Sequence, residues 1–478
     1  MRPISIAQNE FSFDFSRSPN VRWGRSSEQG KEDSVSHSME YFVNDGKIAE
    51  RFGHILDSQL ADWIDIALAC YLADRLAMRL TGRGAEAGRQ WARVFNLIVP
   101  VRDRARWSNV EVKERLEQVL HFFTDDVWHF EFVEKVGPRR SAESQGFLFG
   151  FDSNVPVRVA LYSGGLDSFA GAAQTVCDSS DSVFVFVSGV TNGRQQSAQR
   201  KQLDVLREWS NREIWQVGVP YGLLWSTSGS PHKEESSQRT RGFLFLTLGA
   251  VSAIAAGSRT LFLYENGIGA INLPYDGTQV GAYNSRATHP VALLRMQDFI
   301  ERLTDNSFSI ENPFAFSTKA EMCRHGAVQE LRDHLGLTFS CDGFPVRAKD
   351  KAQCGLCTSC LLRRQSIESA GLAAFDSKGY LNDLTSAGFS RSEKQLHSLL
   401  AMDWQAQRIK AALAQANPWE ALVQEFVELR KLESELCRSG RLERHTLQGK
   451  LIRLYSQYAA EWESFSARRL CDRGRRIA

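Results

Sequence analysis

The run Val157-Arg158-Val159-Ala160-Leu161-Tyr162 ends on Ser163-Gly164-Gly165-Leu166-Asp167-Ser168, and a stretch of small residues opens near Phe169. A short apolar run, two adjacent glycines and then small helix-compatible residues read as a buried strand, a tight turn and a helix. Adjacent glycines let the backbone turn sharply and approach an anion closely. The N–H groups of the turn and of the first helical turn then face that anion, and the helix dipole adds to the attraction. Ser163 and Ser168 supply hydroxyl donors beside them. Asp167 lies among these anion-directed groups, where its carboxylate repels a phosphate unless a cation such as Mg2+ bridges the two. A Walker A loop needs GxxxxGK[ST] and a dinucleotide fingerprint needs GxGxxG, and neither is present here. Two readings remain: nucleotide phosphate binding, or a tight turn with no ligand.

From residue 157 onward the pattern alternates. VFVFV (183–187) is a continuous apolar strand, QQSAQRKQLDVLREW (195–209) a helix, IWQVGVP (214–220) a strand, 239–256 a helix and TLFLYE (260–265) a strand. Buried strands separated by helices predict an α/β fold with an open parallel sheet covered on both faces. Ligands collect at the carboxyl ends of the strands of such a sheet. The predicted ends carry Ser163 to Ser168, Ser188-Gly189-Val190-Thr191 and Glu265-Asn266-Gly267, which are expected to meet across one crevice. In LYENGIGAINLPYDG (263–277), Glu265, Asn266 and Asn272 are candidates to read a purine-like edge, and Tyr264 or Tyr275 to stack on it. Gly267 and Gly269 would permit close approach; a glycine-rich turn with incidental polar residues is the alternative. Arg239 and Arg241 are either phosphate partners or ordinary helix-start arginines.

Residues 1–150 are expected to form an α+β accessory domain without a chemical motif. The first 50 residues are polar, with SRSPN and SSEQGKEDSVSHS, and hold few apolar anchors. Residues 55–80 follow as a helix, stopped by Gly82 and Gly84. WARVFNLIVPV (91–101) reads as a strand, VEVKERLEQVLHFF (110–123) as a helix and VWHFEFVEKV (127–136) as an alternating strand. Asp103, Arg104 and Arg106 read as surface or local ion-pair groups. Residues 372–478 read as a helical region ending on Arg468, Arg469, Arg473, Arg475 and Arg476. Packing, a lid, a partner surface and a basic contact are all compatible with it. The formal net charge of +2 over 478 residues gives no global field for nucleic acid and leaves room for a local groove. No run reaches the roughly 18 apolar residues of a membrane helix, and FLFLTLGAVSAIAA (243–256) reads as a buried helix. MRPISIAQNEFSFDF lacks the pattern of a secretory signal. Together with clustered cysteines, this makes the cytoplasm the expected compartment.

Cys341, Cys354, Cys357 and Cys360 form C-x12-C-x2-C-x2-C. The short spacings let neighbouring thiolates converge on one ion, and a turn returns Cys341 as the fourth. Four sulfurs favour tetrahedral zinc with no open coordination position. The rival is an iron–sulfur cluster, whose ferredoxin-type pattern prefers a further cysteine just before a proline, absent here. Cys70, Cys177, Cys323, Cys437 and Cys471 are scattered and read as simple thiols.

SGGLDS resembles the SGGxDS signature of the PP-loop ATP pyrophosphatase superfamily. Residues 311–371 resemble the tail of the 7-cyano-7-deazaguanine synthases, in which P, SKAE, SC, CGxCxxCxLR and AG follow in this order. Pro313, Lys319, Ala320, Glu321, Ser340, the four cysteines, Gly355, Leu362, Arg363 and Gly371 fit that pattern. Thr318 replaces the serine of SKAE, and VRAKDKAQ lengthens the first cysteine gap. The resemblance implies a catalytic domain over 151–371 with an adenine-nucleotide alpha hydrolase-like (Rossmann-like) sheet and a zinc segment over 341–360. It implies ATP, Mg2+ and Zn2+ as cofactors. ATP would be cleaved between its α and β phosphates, AMP attached to the carboxylate of a 7-deazaguanine, and pyrophosphate released. Ammonia would then lead to the amide and the nitrile. By position, Ser163, Gly164, Gly165, Leu166, Asp167 and Ser168 would hold pyrophosphate, with Asp167 and Ser168 catalytic. Ser188, Glu265, Asn266 and Gly267 would complete the nucleotide and base site, and Lys319 and Arg363 would offset phosphate or carboxylate charge. Lys319 also reads as a solvated lysine.

The added N-terminal and C-terminal regions are similar to those of the enlarged deazaguanine-synthase-like proteins of bacterial anti-phage defence systems. That similarity implies transfer of an activated deazaguanine to an amine of a partner protein. A PP-loop enzyme that modifies RNA is the alternative, disfavoured by the near-neutral charge and the lack of an evident basic, aromatic RNA module. A genuine nitrile synthase and a binding protein that keeps the loop as a relic complete the set.

Overall fold

Phe11, Phe13 and Phe15 alternate with polar residues, and the period of two places all three on one face. That face is buried. The polar first 50 residues, expected to hold few apolar anchors, contain three strands: β1 (Glu10–Asp14), β2 (Asn20–Arg25) and β3 (His37–Val43). Val21 and Trp23 on β2 join the same core, with Trp23 stacked on Phe13 at 6.3 Å between ring centroids.

The computed structural model describes residues 9–25, 37–79, 91–144, 155–179, 183–224, 234–275, 286–343, 353–377, 379–382 and 393–477, with no side chains beyond 467 or over 393–396. Gly82, Gly84, most of SSEQGKEDSVSHS and of VRAKDKAQ, residues 276–277, the boundary at 150, and the side chains of Cys471 and the terminal arginines lie outside the described residues.

Helices α1 (Gly46–Phe52) and α2 (Ser58–Leu76) follow β3. α2 begins where Asp57 accepts a hydrogen bond from the Leu60 N–H, an N-cap. It is apolar on nearly every side and correspondingly buried. β4 (Val94–Val101), α3 (Val110–Thr124) and β5 (Val127–Glu134) complete the N-terminal half. The alternating half runs β6 (Val157–Leu161), α4 (Leu166–Asp178), β7 (Val183–Val190), α5 (Gly193–Ser210), β8 (Ile214–Leu224), α6 (Arg241–Ala255), β9 (Thr260–Phe262), α7 (Gly267–Ile271), α8 (Pro290–Thr304) and β10 (Ser309–Glu311). Then come α9 (Lys319–Arg324) and α10 (Thr358–Ser369). A helical C-terminal region closes the chain: α11 (Glu393–Leu413), α12 (Pro418–Glu425), α13 (Glu428–Arg438) and α14 (Arg444–Ile477). Among the described residues no helix is long and apolar enough to cross a membrane.

Among the described residues the ten strands form one sheet in the order β10-β9-β6-β7-β8-β3-β2-β1-β4-β5. β6 to β10 are parallel, as their helical crossovers require. β8–β3, β3–β2 and β2–β1 are antiparallel, so the sheet as a whole is mixed. Tyr41 pairs with Leu223 across β3–β8, so the N-terminal strands and the alternating half share one sheet. Successive residues of β6 and β7 feed opposite faces. Val159, Val185 and Val187 enter the core under α2 and α6, and Ala160, Phe184 and Phe186 enter the core under α4 and α5.

A buried ion network ties the two halves together. Arg93 lies between Asp74 (2.5 Å) and Asp126 (2.6 Å), and Arg79 reaches Asp126 at 2.8 Å. Burial alone lowers the Arg93 pKa; Asp126 and Asp74 reverse this and hold it above its ordinary value. Asp74 also accepts both the N–H and the hydroxyl of Thr240, at 2.9 Å each, at the start of α6. Removing one partner of such a network leaves an uncompensated buried charge. Asp126→Ala is therefore expected to cost about 3–5 kcal/mol, read as a lowered urea midpoint; a midpoint equal to that of the parent protein would contradict this account.

Candidate functional site

The turn after β6 is held from behind. Gly164 has φ +81°, in the left-handed region that favours glycine. α5 places Gln199 and Gln202 one turn apart on the face towards the loop. Gln199 Nε2 donates to the carbonyls of Tyr162 (3.2 Å) and Ser163 (3.1 Å). Gln202 Nε2 donates to those of Gly164 (3.0 Å) and Leu337 (2.9 Å). Phe339 N–H adds a bond to Gly164 O at 3.2 Å. With its carbonyls engaged on one side, the turn gathers donors on the other. Ser163 Oγ and Ser168 Oγ lie 2.7 Å apart, and the N–H groups of Ser163 and Gly165 point at these hydroxyls. Leu166 opens α4, and its side chain is buried. Donors converging at a helix N-terminus suit an anion.

β6 and β9 are neighbours, and the chain leaves them towards opposite edges of the sheet. This is the switch point at which open α/β sheets form a crevice. Asn266, from the segment after β9, donates to Asp167 Oδ1 (3.2 Å) and Glu265 Oε1 (2.8 Å), and caps α7 by accepting from Gly269 N–H (3.0 Å). Lys319 Nζ lies 2.8 Å from Asp167 Oδ2. All four residues are largely shielded from solvent. Burial lowers the Lys319 pKa, but Asp167 and then Glu265 more than offset this and raise it overall. Burial, and next the Asp167 charge, push Glu265 up to about 8. Asn312 braces Glu265 by bonding its carbonyl (2.8 Å) and its N–H (3.3 Å). Lys319 opens α9 behind a reciprocal capping box, in which Thr318 Oγ1 accepts from Glu321 N–H (3.1 Å) and Glu321 Oε2 accepts from Thr318 N–H (2.7 Å). Threonine fills the cap as serine would. Lys319 is thus buried and paired, not solvated.

Several expected site residues do other work. Ser188 stands beside the loop at the end of β7, but its hydroxyl donates to Tyr162 O at 2.7 Å. Arg363 is fully buried and makes four hydrogen bonds, to Asp376 (3.3 and 2.8 Å), Thr338 Oγ1 (2.6 Å) and Leu335 O (3.0 Å). It holds the segment leading to Phe339 rather than facing the turn. A Cβ on Gly267 would sit 2.4 Å from Ala315 O and 2.7 Å from Leu454 Cδ2, so this glycine serves close helix packing. A Cβ on Gly269 would meet the Glu265 carboxylate at 2.5 Å. Tyr264 is buried edge-on against Phe314 at 5.9 Å and is not placed to stack on a ligand. The Asn266 amide hydrogens go to Asp167 and Glu265, and its oxygen caps α7. Arg239 belongs to the N-terminal network, pairing with Asp125 at 3.3 Å and lying over Trp91, and Arg241 lies over Phe245. Sequence reasoning missed Gln199, Gln202 and Asn312. The glutamine spacing in QQSAQRKQ, three apart on one helix face, was the available signal.

The four cysteines come together. Their sulfurs all lie within 4.8 Å of one another, and Cys354 Sγ and Cys360 Sγ are 3.8 Å apart. Tetrahedral zinc at about 2.3 Å from each thiolate requires sulfurs roughly 3.8 Å apart. Backbone N–H groups of Cys354, Leu356, Cys357 and Cys360 approach the sulfurs at 3.4–3.5 Å, which favours thiolates. Gly355 permits the turn with φ +81°, and a Cβ there would meet Asn382 O at 2.7 Å. The donor set is consistent with a closed, structural zinc site.

Two outcomes follow from this geometry. The purified protein is expected to carry one zinc by elemental analysis and Cys357→Ser to lose it; full occupancy in the variant would refute the assignment. Glu265, raised in the fold above its unfolded value, contributes stability that is complete below the usual carboxylate range and lost as pH rises through about 8. Without nucleotide, the Tm of the parent protein should therefore fall relative to that of Glu265→Gln between about pH 5 and 8.5. Parallel pH profiles for the two proteins would exclude the shift.

A comparison with curated proteins finds no match. Residues 240–371 match the family model described as Queuosine biosynthesis protein QueC. The matched segment takes in Glu265, Asn266, Lys319, the four cysteines and Arg363, while the Ser163–Ser168 turn lies upstream of it. Over that segment the chain is similar to a QueC-like PP-loop family.

Proposed function

We propose that the chain adenylates the carboxylate of a 7-deazaguanine-type substrate with ATP and then transfers the activated group to an amine. The observation that carries this reading is the convergence of the donor-lined Ser163–Ser168 turn with Asp167 and Lys319 at the switch point of the sheet. The QueC-like segment and its cysteine cluster support the substrate class.

In the first step a substrate carboxylate oxygen attacks the α-phosphorus of ATP. The bond to the β-phosphate oxygen breaks, an acyl adenylate forms and pyrophosphate leaves. The Ser163 and Ser168 hydroxyls and the N–H groups of the turn hold the leaving pyrophosphate, where preorganised donors stabilise developing charge. Lys319 offsets phosphate charge beside them. Asp167 is the residue suited to hold Mg2+, which when bound supplies further neutralisation of the phosphate oxygens. In the second step an amine attacks the acyl carbon, AMP leaves with the C–O electron pair, and the nitrogen loses a proton to give an amide. The N-terminal strands and the helical C-terminal region exceed what a small-molecule reaction requires, and this favours an amine on a partner protein, as in the defence systems named above. Cytoplasmic placement follows from the same proposal.

ATP–pyrophosphate exchange with 7-carboxy-7-deazaguanine tests the first step. Exchange is expected in the parent protein, with a loss of about 100-fold or more in Lys319→Met and in Asp167→Asn. Absence of both exchange and AMP formation from zinc-replete protein across carboxylated deazaguanines would sink the proposal. Intact mass of candidate partners after incubation with ATP and the substrate tests the second step. A mass gain equal to the deazaguanine acyl group is expected on one of them.

A further inference from the structure

The helical C-terminal region shows no chemical motif, yet one face of α14 runs along the elements that carry the site. Leu454 fills the space beside Gly267 on α7. Arg453 pairs with Glu321 at 2.5 Å and donates to Phe316 O. Two helical turns further on, Glu461 is 5% exposed, and a carboxylate is a costly choice for a buried packing position. Its partners account for that choice. Oε1 accepts from the Thr318 hydroxyl (3.2 Å), from Arg324 (2.8 Å) and from Gln457 (2.8 Å), and Oε2 accepts from Gln365 on α10 (3.4 Å). Thr318 and Arg324 flank α9 at its two ends, so the carboxylate grips the helix that opens with Lys319.

We propose that Glu461 is a positioning residue that sets Lys319 through Thr318. The Thr318 oxygen caps α9 by accepting the Glu321 N–H, and its own proton needs an acceptor. Thr318 is 2% exposed, so solvent does not provide one. Glu461 does, and this fixes the hydroxyl rotor, the cap and the residue directly after it. Lys319 is that residue, and its ammonium must reach Asp167 across the crevice. Glu461 has no hydrogen bond or ion pair to Lys319 and acts on it through the helix that Lys319 opens. The C-terminal region thereby becomes part of the active architecture, and displacement of α14 would alter the site without touching substrate. This inference rests on the role proposed for Lys319 in phosphate charge compensation.

The test combines kinetics with a readout independent of activity. Glu461→Leu removes both acceptor oxygens while keeping bulk, and Thr318→Val removes the hydroxyl. Each is expected to lower kcat for AMP formation by about 10- to 100-fold, with KM for ATP changed less than about twofold. The double variant should be no slower than Thr318→Val alone. In parallel, acetylation of Lys319 by an amine-reactive ester, followed by peptide mass spectrometry, should be faster in Glu461→Leu than in the parent. If Glu461→Leu is insoluble, Glu461→Gln replaces it, with a kcat loss of about threefold and the same direction in labelling. Parent-level kcat in a folded Glu461 variant, additive losses in the double variant, or unchanged labelling would overturn the inference. If the parent itself shows no exchange and forms no AMP, the proposed function fails, and Lys319 labelling alone then decides the positioning role.

Discussion

The crevice depends on the contact between Lys319 Nζ and Asp167 Oδ2, 2.8 Å apart. Two carboxylates, Asp167 and Glu265, share the Asn266 amide in a site closed to most solvent. Two such anions without a cation would each carry an uncompensated desolvation cost. Lys319 neutralises one, and the raised pKa of Glu265 shows the other yielding part of its charge to burial and to Asp167. The side chains at the switch point thus sum to neutral or slightly negative charge, while the adjoining turn carries N–H and hydroxyl groups and no charge of its own before Asp167. A polyanion is drawn to the turn but gains little net charge from Asp167, Glu265 and Lys319 together. That imbalance is why an added divalent cation at Asp167 belongs in the proposal: the turn can orient phosphates, but the buried charges cannot neutralise them alone.

Precision at that contact has three sources at different distances. The glutamines of α5 fix the carbonyl side of the turn, so its backbone path is set before any ligand arrives. The capping box fixes the first residue of α9, and Glu461 on α14 fixes the cap. On the other side, β3 adds to the sheet next to β8 and the Asp74–Thr240 contact anchors the start of α6, so the N-terminal strands stiffen the sheet that carries the turn. Neither flank is an appendage in the structural sense. The C-terminal region ends on α9, which bears Lys319, and the N-terminal strands end on β8, the neighbour of the strand that bears Ser188.

The parts legible in the sequence were those whose logic is local. SGGLDS after an apolar run announces a strand, a turn and a helix within a dozen residues, and C-x12-C-x2-C-x2-C announces converging sulfurs. Glu265 and Asn266 lie in the segment after β9, which ends at Phe262 rather than at the expected Glu265, and their partners were not visible, because the Asp167–Asn266 contact depends on β6 and β9 being neighbours. Arg363 shows the limit of positional inference. A guanidinium one turn after the last cysteine has a predictable place on α10 but not a predictable direction, and it points to Asp376 and Thr338. Tyr264 and Gly267 show the same limit. Aromatic and glycine residues near a crevice serve packing as readily as recognition, and only the neighbours, Phe314 for one and Leu454 for the other, decide. The three N-terminal strands were hidden in polar composition although FSFDF carries the period of two, since half of each strand faces outward.

The cysteine cluster and the Ser163–Ser168 turn, far apart in sequence, are mechanically one unit. α10 begins at the cysteines and carries Arg363, which holds Leu335 O and Thr338 Oγ1. That segment presents Leu337 O to Gln202 and Phe339 N–H to Gly164 O, the same two bonding sets that shape the carbonyl side of the turn. A metal held by Cys341, Cys354, Cys357 and Cys360 would order both ends of this path, since Cys341 follows Phe339 by two residues and Cys360 precedes Arg363 by three. Its contribution to chemistry would then be indirect. A closed four-sulfur site offers no position for substrate, but it sets the wall against which the glycine turn rests, and the donors of that turn are only as well aimed as the wall is still.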